Sequence, residues 1–253
     1  MKKLKLLFVA ITLIAFYNIN AQGVSINEDG SAADGSAMLD VKSTDKGFLP
    51  PRLSTSELKA IPNPAEGLVV YNTTSKTLNV FNGTNWTDMA GNVVLAIGDY
   101  YQGGVVFYLN GSGGGLICAV SDQSSGAEWG CWGTEISGAD GTAIGTGAQN
   151  TIDIEAGCAV GGTAADLCAN LSNGYDDWFL PSKDELDQMH QQIDAINATA
   201  LANGGAAFVS TFYWSSSEVS NDDAWVQVFD NNGIPIPLPK GSNTIRVRAV
   251  RAF

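Results

Sequence analysis

The 253-residue chain has one histidine, His190, and only 13 lysines and arginines against 26 aspartates and glutamates. A formal charge of −13 argues against a nucleic-acid binder, which needs clustered basic residues to displace phosphate counterions. A single histidine removes most imidazole catalysis and histidine-rich metal sites. No G-x-S-x-G nucleophile motif occurs, and no second histidine exists to serve a serine or cysteine. Gly111–Gly115 and Gly145–Gly147 are glycine-rich, but neither completes a dinucleotide fingerprint and no Walker lysine follows, so both read as turns. The four cysteines form no C-x-x-C pair, which disfavours zinc ribbons and thioredoxin-type redox sites. Charged residues are scarce at 15%, yet 45% of the chain is hydrophobic, so a core is affordable and an acidic disordered tail is excluded.

The chain also lacks a long apolar run. The longest, Leu6–Phe16, is about a dozen residues, short of the ~20 that span a bilayer. Three lysines precede it and Ile19-Asn20-Ala21 follows, so residues 1–21 read as a secretory signal peptide. Its removal leaves 10 basic against 26 acidic residues, a charge of −16. The expected address is secreted or at the outer cell surface, with no transmembrane segment left after cleavage. Export makes disulfides the natural use of Cys118, Cys131, Cys158 and Cys168. Of three connectivities the sequence-near one, Cys118–Cys131 with Cys158–Cys168, is favoured; the alternative leaves one pair as buried thiols.

Two parts follow the leader. Residues 22–95 carry 8 acids and 5 bases, and residues 99–253 carry 18 acids and 5 bases. All four cysteines and five of six tryptophans lie in the second part, with the joint near 90–99. The first part reads as a small β-rich module. Ser54 or Thr55 caps a short helix over Glu57–Ile61, and Gly67–Asn72 and Thr77–Phe81 are strand-like runs before an Asn82-Gly83 turn. Such a module is thin for a lone core, which points to oligomerisation. The second part opens with a hairpin, Gly104–Leu109 and Leu116–Val120, followed by a glycine-rich loop over about 124–147. Short helices follow near 149–157 and 163–171. Ser182 and Glu185 form a capping box for the clearest helix, whose apolar face is Leu186, Met189, Ile193 and Ile196. Strand-like runs start at Phe212 and Ala224, Ile234–Pro239 is a proline-punctuated edge, and Thr244–Phe253 alternates before it breaks register.

Carboxylate pairs are weak signals among 26 acids; Asp176-Asp177 and Asp222-Asp223 are the best placed for a glycan hydrolase. Glu218, Asn221, Asp222 and Asp223, with Asp230, Asn231 and Asn232, are oxygen-rich on predicted loops, the donor type Ca²⁺ takes, although no EF-hand loop is completed. Trp214 and Trp225 are stacking candidates for a ligand, although core or inter-strand packing is the commoner use of such residues. Arg246, Arg248 and Arg251 form a basic strand that could hold an anion or pair with acids such as Asp176, Asp177 or Glu218.

Gly103-Gly-Val-Val-Phe-Tyr108, Asp177-Trp-Phe-Leu-Pro-Ser-Lys-Asp-Glu-Leu186, Tyr213-Trp-Ser-Ser-Ser-Glu218, Ala224-Trp-Val226 and Arg246-Val-Arg-Ala-Val-Arg251 occur in that order. Residues 99–253 thereby resemble the Lcl C-terminal domain family, named after a bacterial collagen-like adhesin. The resemblance implies an α+β, C-type-lectin-like fold: a short mixed sheet, two or three helices and long ligand-presenting loops. Relatives with this fold include trimers and variable receptor-binding proteins, and the adhesin is implicated in binding sulfated polysaccharides. The C-terminal part carries −13 (5 bases against 18 acids), a poor match for such anions. The calcium-lectin motifs E-P-N and Q-P-D are absent, and no cysteine follows Cys168 as in the formylglycine-generating oxidases of this fold. Ala37–Val41, Lys46–Arg52, Gly67–Asn72 and Leu78–Trp86 resemble an N-terminal module of exported Bacteroidetes-type surface proteins.

The sequence therefore predicts a non-enzymatic adhesion protein that binds a surface glycan or protein, or else a structural trimeric fibre-tip or envelope component. The expected ligand residues are Glu218, Asn221, Asp222, Trp225, Asp230 and Asn231. No cofactor is called for beyond a weak case for Ca²⁺, nucleic acid is not a partner, and a homotrimer is in reach.

Overall fold

A computed structural model describes residues 23–230 and 232–253. The expected signal peptide and Asn231 lie outside the described residues. The chain divides at Pro51/Arg52 into two compact units, so the small module read over 22–95 is shared between them.

The first unit holds β1 (Val24–Ile26) and β2 (Leu39–Val41), paired parallel in register Val24 with Leu39 and Ile26 with Val41. Side chains alternate across a strand, so Ser25 and Asp40 share one face while Val24, Ile26, Leu39 and Val41 share the other. The polar face is tied to the connecting loop. Asn27 Nδ2 donates to Ser31 O at 2.7 Å, and the Asp40 carboxylate accepts from the Asp34 amide at 3.0 Å.

The second unit begins with β3 (Arg52–Leu53), α1 (Thr55–Lys59), β4 (Val69–Asn72), β5 (Thr77–Phe81) and β6 (Trp86–Asp88), in sheet order β3-β4-β5-β6. Of the two caps the sequence offered, Ser54 is the one used, and Glu57 completes a capping box with it. Leu58, Val70 and Trp86 form its small core.

A second sheet has the order β15-β9-β8-β7, from β7 (Tyr100–Tyr101), β8 (Gly104–Leu109), β9 (Gly115–Ala119) and β15 (Val250–Ala252). The hairpin β8–β9 matches the sequence reading. A third sheet, β10-β14-β11-β12-β13, is built from β10 (Ser124–Ala127), β11 (Phe212–Glu218), β12 (Asp223–Val228), β13 (Pro235–Pro239) and β14 (Ile245–Val247). β13 is an edge, where prolines cost no ladder bond. The C-terminal run thus serves two sheets. Its register break falls at Arg248, which turns inward between β14 and β15.

Five helices occur among the described residues; the other four are α2 (Gly147–Gly157), α3 (Ala164–Ala169), α4 (Lys183–Gln191) and α5 (Ile193–Ala202). The helix read as continuous from Ser182 is therefore two, separated at Gln192, yet the buried face runs on through Leu186, Met189, Ile196 and Ala200. Their capping box is intact, and Glu185 is fully buried beneath it. Its carboxylate accepts from the Gly145 and Ser182 amides, each at 2.7 Å. A Cβ at Gly147 would collide with that carboxylate, so only glycine fits there.

The architecture is α+β, with two larger cores on opposite faces of β8–β9. Val106, Ile117 and Ala119 point into the core shared with Trp214, Val226 and Ile245. Val105, Phe107, Leu116 and Cys118 point into the one closed by α4 and α5. This alternation corrects the predicted cysteine pairing. Cys118 and Cys168 lie in different cores and are both free and buried, whereas Cys131 and Cys158 form the disulfide.

Burial pushes the Cys118 thiol and the Tyr213 hydroxyl up to about 12, and Cys168 also rises well above its ordinary value. A group whose folded pKa is raised contributes stability below its unfolded pKa and loses it as pH climbs towards the folded value. Stability should therefore fall from about pH 9 for the thiols and from about pH 10 for Tyr213, by about 1.4 kcal/mol per pH unit for each group. Thermal melts between pH 8 and 12 check this; a flat midpoint across that range would contradict it.

Candidate functional site

β11 ends at Glu218, and the sequence placed that carboxylate among the ligand residues. The structure places it inside. Glu218 forms a buried ion pair with Lys240, whose side chain is 0% exposed, and both its oxygens accept from the Ile136 amide at 3.0 Å. Lys240 Nζ also donates to Thr134 O at 2.8 Å and sits 4.7 Å from the centre of the Trp129 ring. Every side-chain polar atom of this pair is engaged with the segment 129–136. Its role is to hold a loop, which corrects the reading of Glu218 as a ligand contact.

The remaining predicted residues do not converge. Asn221 and Asp222 lie in the β11–β12 turn, and Asp230 follows the far end of β12. Six residues of strand separate them by roughly 20 Å at ~3.3 Å each. At the far end the Asp230 carboxylate accepts from the Asn232 amide at 2.8 Å, and its carbonyl meets His190 Nε2 at 2.8 Å. Both contacts close a turn. His190 packs edge-on against Phe229, so the one imidazole is a boundary residue of α4. Trp225 is half-buried on the face of β12 opposite Ala224 and Val226, with Lys183 Nζ 5.5 Å from its ring. Trp214 is fully buried and donates to Ala127 O at 2.8 Å, a core role.

The basic strand is occupied as well. Arg248 Nε and Arg246 donate to the two oxygens of Asp122, at 2.7 and 2.8 Å, and the Tyr213 hydroxyl joins them at 3.1 Å. Arg248 also donates to Ala206 O at 3.1 Å. Asp122 is thus the partner of two arginines for which sequence reasoning offered Asp176, Asp177 or Glu218. Arg251 does pair with Asp177. No arginine of this strand is left for an anionic ligand. No three His, Cys, Asp or Glu side chains converge as a metal set among the described residues. Two clefts of about 470 and 440 Å³ both border Val93–Leu95, and none of the predicted ligand residues lines either.

One aromatic that sequence reasoning passed over stands out at the near end of β12. Trp132 is 67% exposed. Its neighbours fix it in place. Cys131 adopts a left-handed φ of 47°, which a non-glycine residue holds only under constraint, and its disulfide to Cys158 at the end of α2 supplies one. The Gly133 amide donates to Asn221 O at 2.9 Å, and the Lys240 amide donates to Asp222 O at 2.9 Å. Gly241 lies against Trp132, where an added Cβ would come within 3.8 Å of it. The Glu218–Lys240 pair and the disulfide thus brace one loop that carries Trp132 beside the exposed Asn221 and Asp222. An exposed indole face beside amide and carboxylate acceptors can stack on a sugar ring and take its hydroxyl hydrogen bonds. Sequence alone did not mark it: Trp129 lies in the same irregular stretch and is fully buried, so exposure here is set by the tertiary fold.

Removing the disulfide by Cys131→Ser with Cys158→Ser reopens a loop of sequence separation 27. The expected loss is about 2–4 kcal/mol in urea unfolding. A change under about 1 kcal/mol would show that the loop is held without it.

The fold and this braced loop define a small α+β domain that presents side chains from connections at one end of a sheet. The chain belongs to the family of the Lcl C-terminal domain, whose description matches residues 118–251. Residues 25–105 match a phage tail like trimerisation region. No curated protein matches the chain. The C-terminal domain is thereby adhesin-like, and the N-terminal match fits a trimeric component.

Proposed function

We propose that this protein is an exported, non-enzymatic surface adhesin that binds a glycan or protein through the loop bearing Trp132, Asn221 and Asp222. The proposal carries the C-type-lectin-like architecture expected of the family, with ligand contacts made by loops at one end of the sheet. The observation that supports it most is the placement of the exposed Trp132 on a doubly braced loop beside the exposed Asn221 and Asp222, an aromatic face next to polar groups. The −13 charge of residues 99–253 and the paired state of Arg246, Arg248 and Arg251 favour a neutral glycan or a protein over a sulfated one. The non-enzymatic reading is supported by the carboxylates most deeply buried, Glu185 and Glu218, being saturated by backbone amides or Lys240. Presentation on a trimer multiplies weak single-site contacts into usable avidity.

A structural role as a trimeric fibre-tip or envelope component is the second reading, favoured by the match over residues 25–105. A glycan array and a pull-down from surface extracts, both with the folded full chain, separate the two. Saturable binding to one class of glycan or protein is the expected result. A folded, trimeric sample that binds nothing supports the structural role instead.

A further inference from the structure

The first unit is inside-out for a solitary chain. Val24, Ile26, Leu39 and Val41 line one face of the β1–β2 ribbon, and all four are exposed, Ile26 at 57%. The opposite, polar face is the one held against the loop, through Asp34 to Asp40 and Asn27 to Ser31. Met38, Phe48 and Leu49 of the same unit are exposed too, Met38 at 76%. Two three-residue strands cannot make a core by themselves. The ribbon nevertheless has a defined register, so its apolar face is preformed and awaits a cover.

We infer that this face is where three copies of the chain meet, with Val24, Ile26, Leu39 and Val41 packed about a threefold axis. The inference rests on the trimeric reading and adds the surface that makes the contact. Three features favour a copy of this chain as the occupant. The match to a trimerisation region spans residues 25–105 and so includes both strands. Each copy offers the same apolar row, and a rotation that closes on itself buries all three at once. Residues 23–51, the described part of the unit, carry five acids and two bases, a charge of −3, which disfavours an anionic lipid surface as the alternative cover. The charged pairs Lys42–Asp29 and Lys46–Glu28 are exposed and remain able to face water.

Sedimentation of the full chain and of Ile26→Asp and Leu39→Asp tests the inference. All six tryptophans lie between Trp86 and Trp225, so their emission reports the fold of the second unit independently of the ribbon. The expected result is a wild type at three times the protomer mass and both variants at one, with unchanged emission. A trimeric wild type with trimeric variants overturns this surface and leaves the trimeric reading standing. A monomeric wild type overturns both. Should a variant lose its native emission, Ile26→Cys decides. Cys118 and Cys168 are buried, so a short bis-maleimide reacts at position 26. Covalent dimers support the inference, and their absence overturns it.

Discussion

Lys240→Met should lower the stability of the second unit by about 3–5 kcal/mol, the usual consequence of stranding a buried charge. Lys240 is fully buried, and its ammonium compensates the Glu218 carboxylate, donates to Thr134 O and lies over Trp129. Methionine fills the space of the stem but leaves Glu218 with a single amide donor, Ile136, in an apolar surround. The loss should exceed that of any exposed pair, such as Lys42–Asp29, which water and salt screen. The double change Glu218→Gln with Lys240→Met should recover part of the loss, because the uncompensated charge is gone. Urea unfolding of the three variants measures this. A single-variant loss below about 1 kcal/mol would mean that water reaches the pair.

Trp132→Ala should behave in the opposite way. Its ring is exposed, so truncation should change stability by no more than about 0.5 kcal/mol. Its effect on binding should be large, about tenfold or more, because aromatic platforms are the residues that dominate small interfaces. Asn221→Ala and Asp222→Ala should weaken binding less, and Asp230→Ala not at all, since Asp230 closes a turn at the far end of β12. The comparison of Trp132→Ala with Asp230→Ala thus locates the site along the strand. Equal losses at the two ends would place the ligand elsewhere.

Much of the local structure was legible in the sequence because its causes are local. The capping boxes at Ser54 and Ser182, the glycine turn before β9 and the prolines of β13 announce themselves within a few residues. The site was less legible because its determinants are not local. Glu218 looks like a loop carboxylate until Lys240, 22 residues on, is seen beneath it. Asp122 lies more than 120 residues from the arginines it holds. The cysteine pairing failed for a related reason: sequence proximity says nothing about which face of β9 a thiol occupies, and Cys118 faces the core that Cys168 does not enter. The oxygen-rich stretch from Glu218 to Asn232 looked like one neighbourhood, but β12 runs through its middle and carries its two halves apart.

The most direct test of the account is the binding of the full chain, immobilised at low density, to the glycan or protein retained in the surface screen. The account predicts saturable binding by a folded trimer, reduced at least tenfold by Trp132→Ala with the melting temperature unchanged. Binding unaffected by Trp132→Ala, or no binding by a folded trimer to any member of the panel, would contradict it.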